Sequence, residues 1–249
     1  MSGFTALVLA GSRGHPDPVA TYAGVSHKGL ITLGGQTLLA RVEGALRAAG
    51  ATRIAVSTND ETLAGQLGAG VERLEASDSV SLSVRQAAET LGTPLLVTTV
   101  DHALLRPEWV RRFIDDAPAD ADIAVLLAPE AAVQAAAPGT RRTWLKFRDG
   151  RYSGCNLFLL RTPAALRAVD LWRRVETQRK RPWRMALTIG PDMLVGYALG
   201  LLSLDEAVTA LGRRAGVKAA AVRTPYGQAA IDVDKPADLD LVRSLVEGA

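Results

Sequence analysis

Apolar and polar positions fall into blocks along the chain, and their spacing predicts the elements. Phe4 to Leu9 is an apolar run rich in β-forming residues that stops at the small residues Ala10, Gly11 and Ser12. Such a run predicts a strand buried on both faces. From Thr37 to Ala49, Leu38, Leu39, Val42, Leu46 and Ala49 recur at helical spacing, and Gly50 ends the helix. Arg53 to Ser57 predicts a short strand, Glu61 to Leu67 a weak helix and Gly70 to Leu74 a further strand. Ser79 to Leu91 predicts a helix with Ser79 or Ser77 as its cap. Pro94 to Val100 reads as one continuous strand followed by Asp101, Pro107 to Asp116 as a helix with proline in its first turn, and Ile123 to Ala128 as another buried strand.

Beyond Pro129 the pattern changes. Ala131 to Ala137 is alanine-rich, Pro138-Gly139 marks a turn, and Thr143 to Phe147 leads through Asp149-Gly150 into Arg151 to Leu160, the returning strand of a hairpin. Pro163 to Arg181 predicts a basic helix that Pro182-Trp183 breaks, and Met185 to Leu202 is strongly apolar with Pro191 and Asp192 interrupting it. Leu204 to Leu211 predicts a helix, Lys218 to Arg223 and Ala229 to Val233 two short strands, and Pro236 to Val246 the terminal helix. Strands alternating with helices at this pitch predict an α/β fold with a doubly wound, mostly parallel sheet. Neither a repeat nor a linker divides the sequence, so residues 1–249 read as one domain with 163–216 as a helical insertion near the C-terminal third.

Composition narrows the function classes. A hydrophobic content of 48% and a charged content of 22% belong to a folded globular chain. A formal net charge of +3 suits an anionic ligand and argues against a nucleic-acid partner. The single cysteine, Cys155, excludes an intrachain disulfide and a multi-cysteine zinc site, and reads as a small buried filler. With no basic, apolar leader at the N-terminus, the expected location is the cytoplasm.

In doubly wound sheets ligands bind beyond the carboxyl ends of the strands, and two candidate features fall there. One is the loop after Leu9, where Gly11 and Gly14 remove Cβ atoms and Arg13 and Lys28 supply positive charge, a composition that suits a phosphate. An ordinary strand-to-helix connection with two surface cations would give the same pattern. The other is Asp101, a carboxylate placed where a hard cation can be held against phosphates, or where it caps the next helix. No Gly-Lys-Ser/Thr closes the first loop, so it is not a P-loop.

Leu9, Ala10, Gly11, Arg13, Lys28, Leu30 and Gly34-Gly35 resemble the N-terminal signature of the MobA-like NTP transferase family, which includes molybdenum-cofactor guanylyltransferase and methylerythritol-phosphate cytidylyltransferase. Two departures stand out: no Arg-Met-Gly run surrounds Arg13, and Ser26-His27 replaces a frequent proline before the lysine. Asp101-His102-Ala103-Leu104 resembles the family's metal-binding Asp-x-Pro-Leu, with alanine for proline, and Asp232-Val233-Asp234-Lys235-Pro236-Ala237-Asp238-Leu239 resembles its C-terminal motif. The resemblance implies a Rossmann-like sheet of the nucleotide-diphospho-sugar transferase type. It implies a magnesium ion on Asp101 and Asp234, with Asp232 as the alternate, and assigns Asp238 to the first turn of the terminal helix. It gives Leu9, Ala10, Gly11, Ser12, Arg13, Lys28 and Ser83 to the nucleotide, with Arg13, Lys28 and Asp101 catalytic, and Asn156, in Ser153-Gly154-Cys155-Asn156, to the acceptor; Ser83 would equally serve as a simple helix cap, and Asn156 as the close of a turn.

The implied reaction moves CMP or GMP from CTP or GTP to a phosphorylated small-molecule acceptor and releases pyrophosphate. A nucleotide-sugar-dependent glycosyltransferase is the rival enzyme, although Asp101-His102-Ala103 lacks that class's Asp-x-Asp. A non-catalytic nucleotide-binding regulator is the third reading. His27 and His102 flank the site as loop residues first and ligand contacts second. Arg173, Arg174, Arg179, Lys180, Arg181 and Arg184 precede the apolar stretch to Leu202, a composition shared by membrane-surface helices and by insertions packed on their own domain. The insertion is preferred, as a cover for the acceptor side or a homodimer contact, because Pro191 and Asp192 resist deep burial in lipid.

Overall fold

The computed structural model describes residues 3–12, 17–178 and 187–248. Among these residues the main sheet is built from eight strands. They are β1 (Phe4–Leu9), β4 (Ala51–Ser57), β5 (Val71–Leu74), β6 (Leu95–Thr99), β7 (Ile123–Pro129), β8 (Leu145–Phe147), β9 (Gly150–Leu160) and β10 (Ala219–Arg223), while β2 (Thr32–Leu33) and β3 (Gln36–Thr37) make a separate small ribbon. The order across the sheet is β10-β7-β9-β6-β1-β4-β5, with β8 paired on β9. Neighbours pair in parallel except where β9 meets β6, β7 and β8. The mostly parallel, doubly wound sheet expected from the alternating pattern is therefore present.

β1 explains why the sheet is built this way. It lies between β4 and β6, and its side chains serve both layers. Ala6 and Val8 enter the larger core, with α2 (Leu38–Ala49), α5 (Pro107–Asp116) and the C-terminal helix Pro236–Glu247. Leu7 enters the second core, with α4 (Val80–Leu91) and α7 (Leu166–Gln178). A strand buried on both faces needs apolar residues at successive positions, which is the run seen in the sequence. Strand order reverses between β1 and β6, so the loops leaving those two strands face one another across a crevice. Val100 N–H donates to the Leu9 carbonyl at 3.0 Å across it.

Helix ends follow their sequence signals. Thr37 caps α2 and Gly50 closes it at φ 107°, while Ser79 caps α4. Ser203 and Glu206 form a capping box for the helix Leu204–Ala215. The loop after β1 contains an unexpected one-turn helix, α1 (Pro18–Tyr22), whose Asp17 side chain accepts from Val19 and Ala20 N–H; it is too short to show a hydrophobic period. α3 spans only Glu61–Ala64.

Ala229 to Val233 is not a strand. Gly227–Ala230 is a turn of 3-10 helix, seated where a Cβ on Gly227 would lie 2.0 Å from the Ala132 carbonyl oxygen of α6 (Glu130–Ala136), and the chain then runs extended without a sheet partner. Ile231 and Val233 are buried and Asp232 and Asp234 face outward, so the two-residue period records burial against the core rather than a ladder.

The expected insertion, 163–216, carries α7 and the helices Pro191–Ala198 and Leu204–Ala215. Pro191 starts a helix there instead of only interrupting one, and no residue of that helix is buried. Arg179, Lys180, Arg181, Pro182, Trp183, Arg184 and Met185 lie outside the described residues. Among those described, no helix is long and apolar enough to cross a membrane.

Glu43 is a carboxylate inside the α2 face that meets the core, 5% exposed. One oxygen accepts from Gly68 N–H at 3.2 Å and the other is unpartnered. Burial holds its pKa above the usual carboxylate range, against opposing pulls from the Gly68 N–H and Arg47. A raised folded pKa means that stability falls as pH rises through it, because the folded chain must then give up a proton it retains. Glu43→Gln should remove that slope. It should raise stability at pH 8 by on the order of 1 kcal/mol, about 2–4 °C in Tm, with little change at pH 4. Thermal melts of both proteins across that range check it, and parallel curves would contradict the assignment.

Candidate active site

The loop after β1 is held from two sides. A Cβ on Gly11 would meet the Ala76 Cβ at 3.0 Å, so this loop lies against the connection from β5 to α4. Ser12 N–H donates to Asn59 Oδ1 at 2.9 Å, and Asn59 Nδ2 donates back to the Ser12 carbonyl at 3.0 Å. Ala10 N–H is bonded to the Ser57 carbonyl, and Leu9 is half-buried at the strand end. Arg13 and Gly14 lie outside the described residues. Ser83 is buried in the first turns of α4, where its hydroxyl accepts from Ser77 N–H at 2.9 Å. Its side chain thus shapes the loop that packs on Gly11.

Lys28 arrives on a single 3-10 turn, Lys28–Leu30. His27 Nδ1 caps that turn by accepting from Gly29 N–H at 2.9 Å. Gly29 packs closely there, since a Cβ would come within 2.8 Å of Leu63 Cδ1 and 3.0 Å of Val100 Cγ2. Burial lowers the His27 pKa against the pull of Asp60, which keeps the ring neutral and Nδ1 free to accept. Lys28 Nζ pairs with Asp101 Oδ2 and lies 3.6 Å from Asp234 Oδ1. Burial alone would lower the lysine pKa, but Asp101, Asp234 and Asp17 outweigh it and hold the ammonium above its ordinary value. The side chain of Asp101 is 9% exposed and that of Asp234 59%, so one carboxylate is fixed and the other faces solvent. Thr99 Oγ1 donates to Asp101 Oδ1, and Val233 N–H donates to the Asp101 carbonyl at 3.1 Å, tying the C-terminal motif to the loop after β6.

A second layer of charge supports the first. Arg142, 7% exposed, pairs with Asp232 through Nη1 and with Asp238 through Nη2. Asp238 Oδ2 accepts the N–H groups of Asp234 and Lys235 at 3.2 and 2.9 Å, so Asp238 caps the terminal helix and sets the backbone that presents Asp234. Asn156 Nδ2 donates to Asp232 Oδ2 at 2.9 Å. Asn156 has φ 49°, and it sits where Val125 faces Phe158 but Leu127 faces Gly154, so three residues of β9, Cys155 to Leu157, lie opposite Leu126 of β7. That bulge turns its amide out of the strand and onto the aspartate. Burial, then the charges of Asp234 and Asp101, raise the Asp232 pKa, with Arg142 and Asn156 opposing.

The structure thus brings Lys28, Asp101, Asp232, Asp234 and Asn156 together, with Gly11 and Ser12 on the neighbouring loop. Cys155 is buried and its thiol pKa pushed up by burial, which suits a packing residue. His102 is 1% exposed beside Trp109, and burial pushes its pKa down to about 4, so it is a neutral core ring rather than a ligand contact. Arg142 was missed, because an arginine in an irregular loop carries no periodic signal. Its partners Asp232 and Asp238 lie 90 and 96 positions further on, so no local spacing connects them.

Whether a divalent cation fits can be judged from charge. Asp101, Asp232, Asp234 and Asp238 bring four negative charges and Lys28 and Arg142 two positive, which leaves −2 in this group. Among the described residues, no three His, Cys, Asp or Glu side chains form a ready metal cage. Two carboxylates that converge on one lysine suit magnesium, which is commonly held by one or two carboxylates together with water and phosphate oxygens.

Residues 6–173 match the family model described as the MobA-like NTP transferase domain. No curated protein matches the chain. A hypothetical transferase from Thermus thermophilus is 33% identical at a TM-score of 0.81, over 95% of this chain and 99% of its own. Two further structures share the fold. The 2-C-methyl-D-erythritol 4-phosphate cytidylyltransferase of Thermus thermophilus is 19% identical at a TM-score of 0.54, over 98% of this chain and 99% of its own. A nucleotidyl transferase from Methanothermobacter thermautotroptrophicus is 18% identical at 0.56, over 100% of this chain and 99% of its own.

Arg142→Ala would leave Asp232 and Asp238 without their shared cation and should cost about 3–5 kcal/mol in urea unfolding. Arg142→Lys keeps the charge but not both prongs, and should cost less than half of that. A loss below about 1 kcal/mol for the alanine variant would mark Arg142 as an ordinary surface cation.

Proposed function

The chain belongs to the MobA-like NTP transferase family and is a nucleotidyltransferase, and on that premise we propose that it transfers CMP or GMP from CTP or GTP to a phosphorylated small-molecule acceptor with magnesium. The observation that carries this reading is Lys28 lying between Asp101 and Asp234 at the strand-order reversal. An acceptor phosphate is already anionic near neutral pH, so its oxygen needs no strong general base. That oxygen bonds to the α-phosphorus while the bridge to the β-phosphate breaks, and the electron pair leaves on pyrophosphate.

The protein's part is then positioning and charge neutralisation. Lys28, held protonated by its aspartates, donates to the triphosphate and to the departing pyrophosphate. Arg13 belongs to the same task on the strength of its place in the sequence motif. The Gly11 and Ser12 backbone and the Ser83-braced loop line the nucleotide side. Asn156 stands on the acceptor side, where its amide steadies Asp232. Magnesium, held by Asp101 and Asp234 with Asp232 as the alternate, would neutralise charge on the reacting phosphates. The cytoplasm supplies the triphosphate, and we place the reaction there. Family membership favours nucleotidyl over glycosyl transfer.

Pyrophosphate release with each of the four triphosphates and a pool of phosphorylated acceptors tests the reaction. Asp101→Asn and Asp234→Asn should each lower turnover about a hundredfold or more with the fold intact by circular dichroism. Lys28→Ala should raise the KM for nucleotide, lower kcat, or both. Release within a few-fold of the parent in both aspartate variants would refute the two-carboxylate site.

A further inference from the structure

The two faces of β7 and β9 are covered unequally. On one face Leu126, Leu157 and Leu159 are at most 2% exposed. On the other, Val125 and Phe158 remain half-buried, although α7 and the helix Leu204–Ala215 lie over them. Between that face and the two helices is a cavity of about 360 Å³, walled by Val97, Val125 and Phe158 from the sheet and by Trp172, Val208 and Leu211 from the helices. Its lining is apolar throughout. Trp172 stacks on Phe158 at 6.5 Å yet is 39% exposed, so the wall is also a rim.

Such a space is a poor place for water, which would find no polar partner there. Its size is that of a small-molecule pocket. Position then connects it with the active site. Leu9 lines the cavity and is also the last residue of β1, at the edge that carries the Gly11 loop and Asp101. Val175 lines it too, next to Glu176, whose carboxylate accepts from the Ser81 hydroxyl at the start of α4. Leu9 thus brings one end of the cavity to the strand-end edge of the charged groups, while Ile123, Leu160 and Ala219 carry it across the sheet to the opposite edge. Ile189 also lines the cavity, in a segment where Leu187, Val195, Leu199 and Leu201 are exposed.

We propose that the acceptor is a phosphorylated amphiphile, whose hydrocarbon chain of acyl or isoprenyl type fills this cavity while its phosphate meets the nucleotide at the strand ends. This rests on the nucleotidyl-transfer reading above and gives its acceptor a chemical class. The bonds made and broken are those of that reaction, with the amphiphile's phosphate oxygen as nucleophile.

The test titrates the full chain with dansyl-labelled undecanoic acid and competes the probe with dodecyl phosphate or with glycerol phosphate, which has a head and no tail. Dodecyl phosphate should displace the probe and glycerol phosphate should not. Ala168 of α7 also lines the cavity, and Ala168→Trp and Val208→Phe, which narrow it, should each weaken the probe by about tenfold or more while the thermal shift given by magnesium and nucleotide is kept. A probe that does not bind, that both competitors displace alike, or that folded narrowed variants bind as the parent does, overturns the cavity assignment. The competition on the parent decides this even if both variants fail to fold. Pyrophosphate release with dodecyl phosphate, absent with glycerol phosphate, supports the acceptor class. Release with short phosphates but not with dodecyl phosphate overturns that class and leaves the transfer reading standing. Probe binding without release from any acceptor refutes the transfer reading and the acceptor class with it.

Discussion

Like charges crowded at the end of a buried strand are the constraint on which this structure turns. Burial, and then the charges of Asp234 and Asp101 close by, raise the Asp232 pKa. Asp101 and Asp232 are largely buried and Asp234 is exposed, so repulsion is felt most by the first two, where it is stronger than in water. Two cations hold them together: Lys28 between Asp101 and Asp234, and Arg142 between Asp232 and Asp238. The compensation stays incomplete by two charges within this group.

Backbone devices keep the two layers in register. Gly29 lets the turn carrying Lys28 press against Leu63 and Val100, and Gly227 lets the following turn lie on the Ala132 carbonyl. Asn156 accepts a left-handed φ that costs most residues energy, and in return its amide reaches Asp232. Each device lies between the hydrophobic layers and the charged edge, so strain is confined to positions that aim a functional group.

These details also mark the limit of what the sequence discloses. β1 was readable because burial on both faces demands an unbroken apolar run, and β6 with Asp101 followed for the same reason. α2 and α4 carried both period and caps. Ala229 to Val233 misled because alternating burial looks alike whether or not a partner strand is present; only the missing ladder separates the two. α1 is one turn long and has no period to read. Within the site, Lys28, Asp101, Asp232 and Asp234 were legible as motif residues, whereas Arg142 joins them through a loop whose path follows from tertiary packing. The link between Asn156 and Asp232 spans 76 positions and depends on a bulge that no local signal announced.

The two sheet faces divide the remaining work. The face beneath α2, α5 and the terminal helix is closed by tightly buried residues and anchors the C-terminal motif, through Val233, to Asp101. Rigidity is needed there, because small displacements of Asp234 change how the carboxylates meet Lys28. The face beneath α7 and Leu204–Ala215 makes no direct contribution to that charge geometry, so its packing can be loosened without moving a carboxylate. Loss of packing is tolerable where it leaves the reacting groups fixed, and an apolar cavity next to the strand ends is what such freedom permits. A nucleotide is recognised by a precise edge, whereas a hydrocarbon chain asks only for volume and the absence of polar groups. The division of this sheet into one stiff face and one accommodating face matches those two demands.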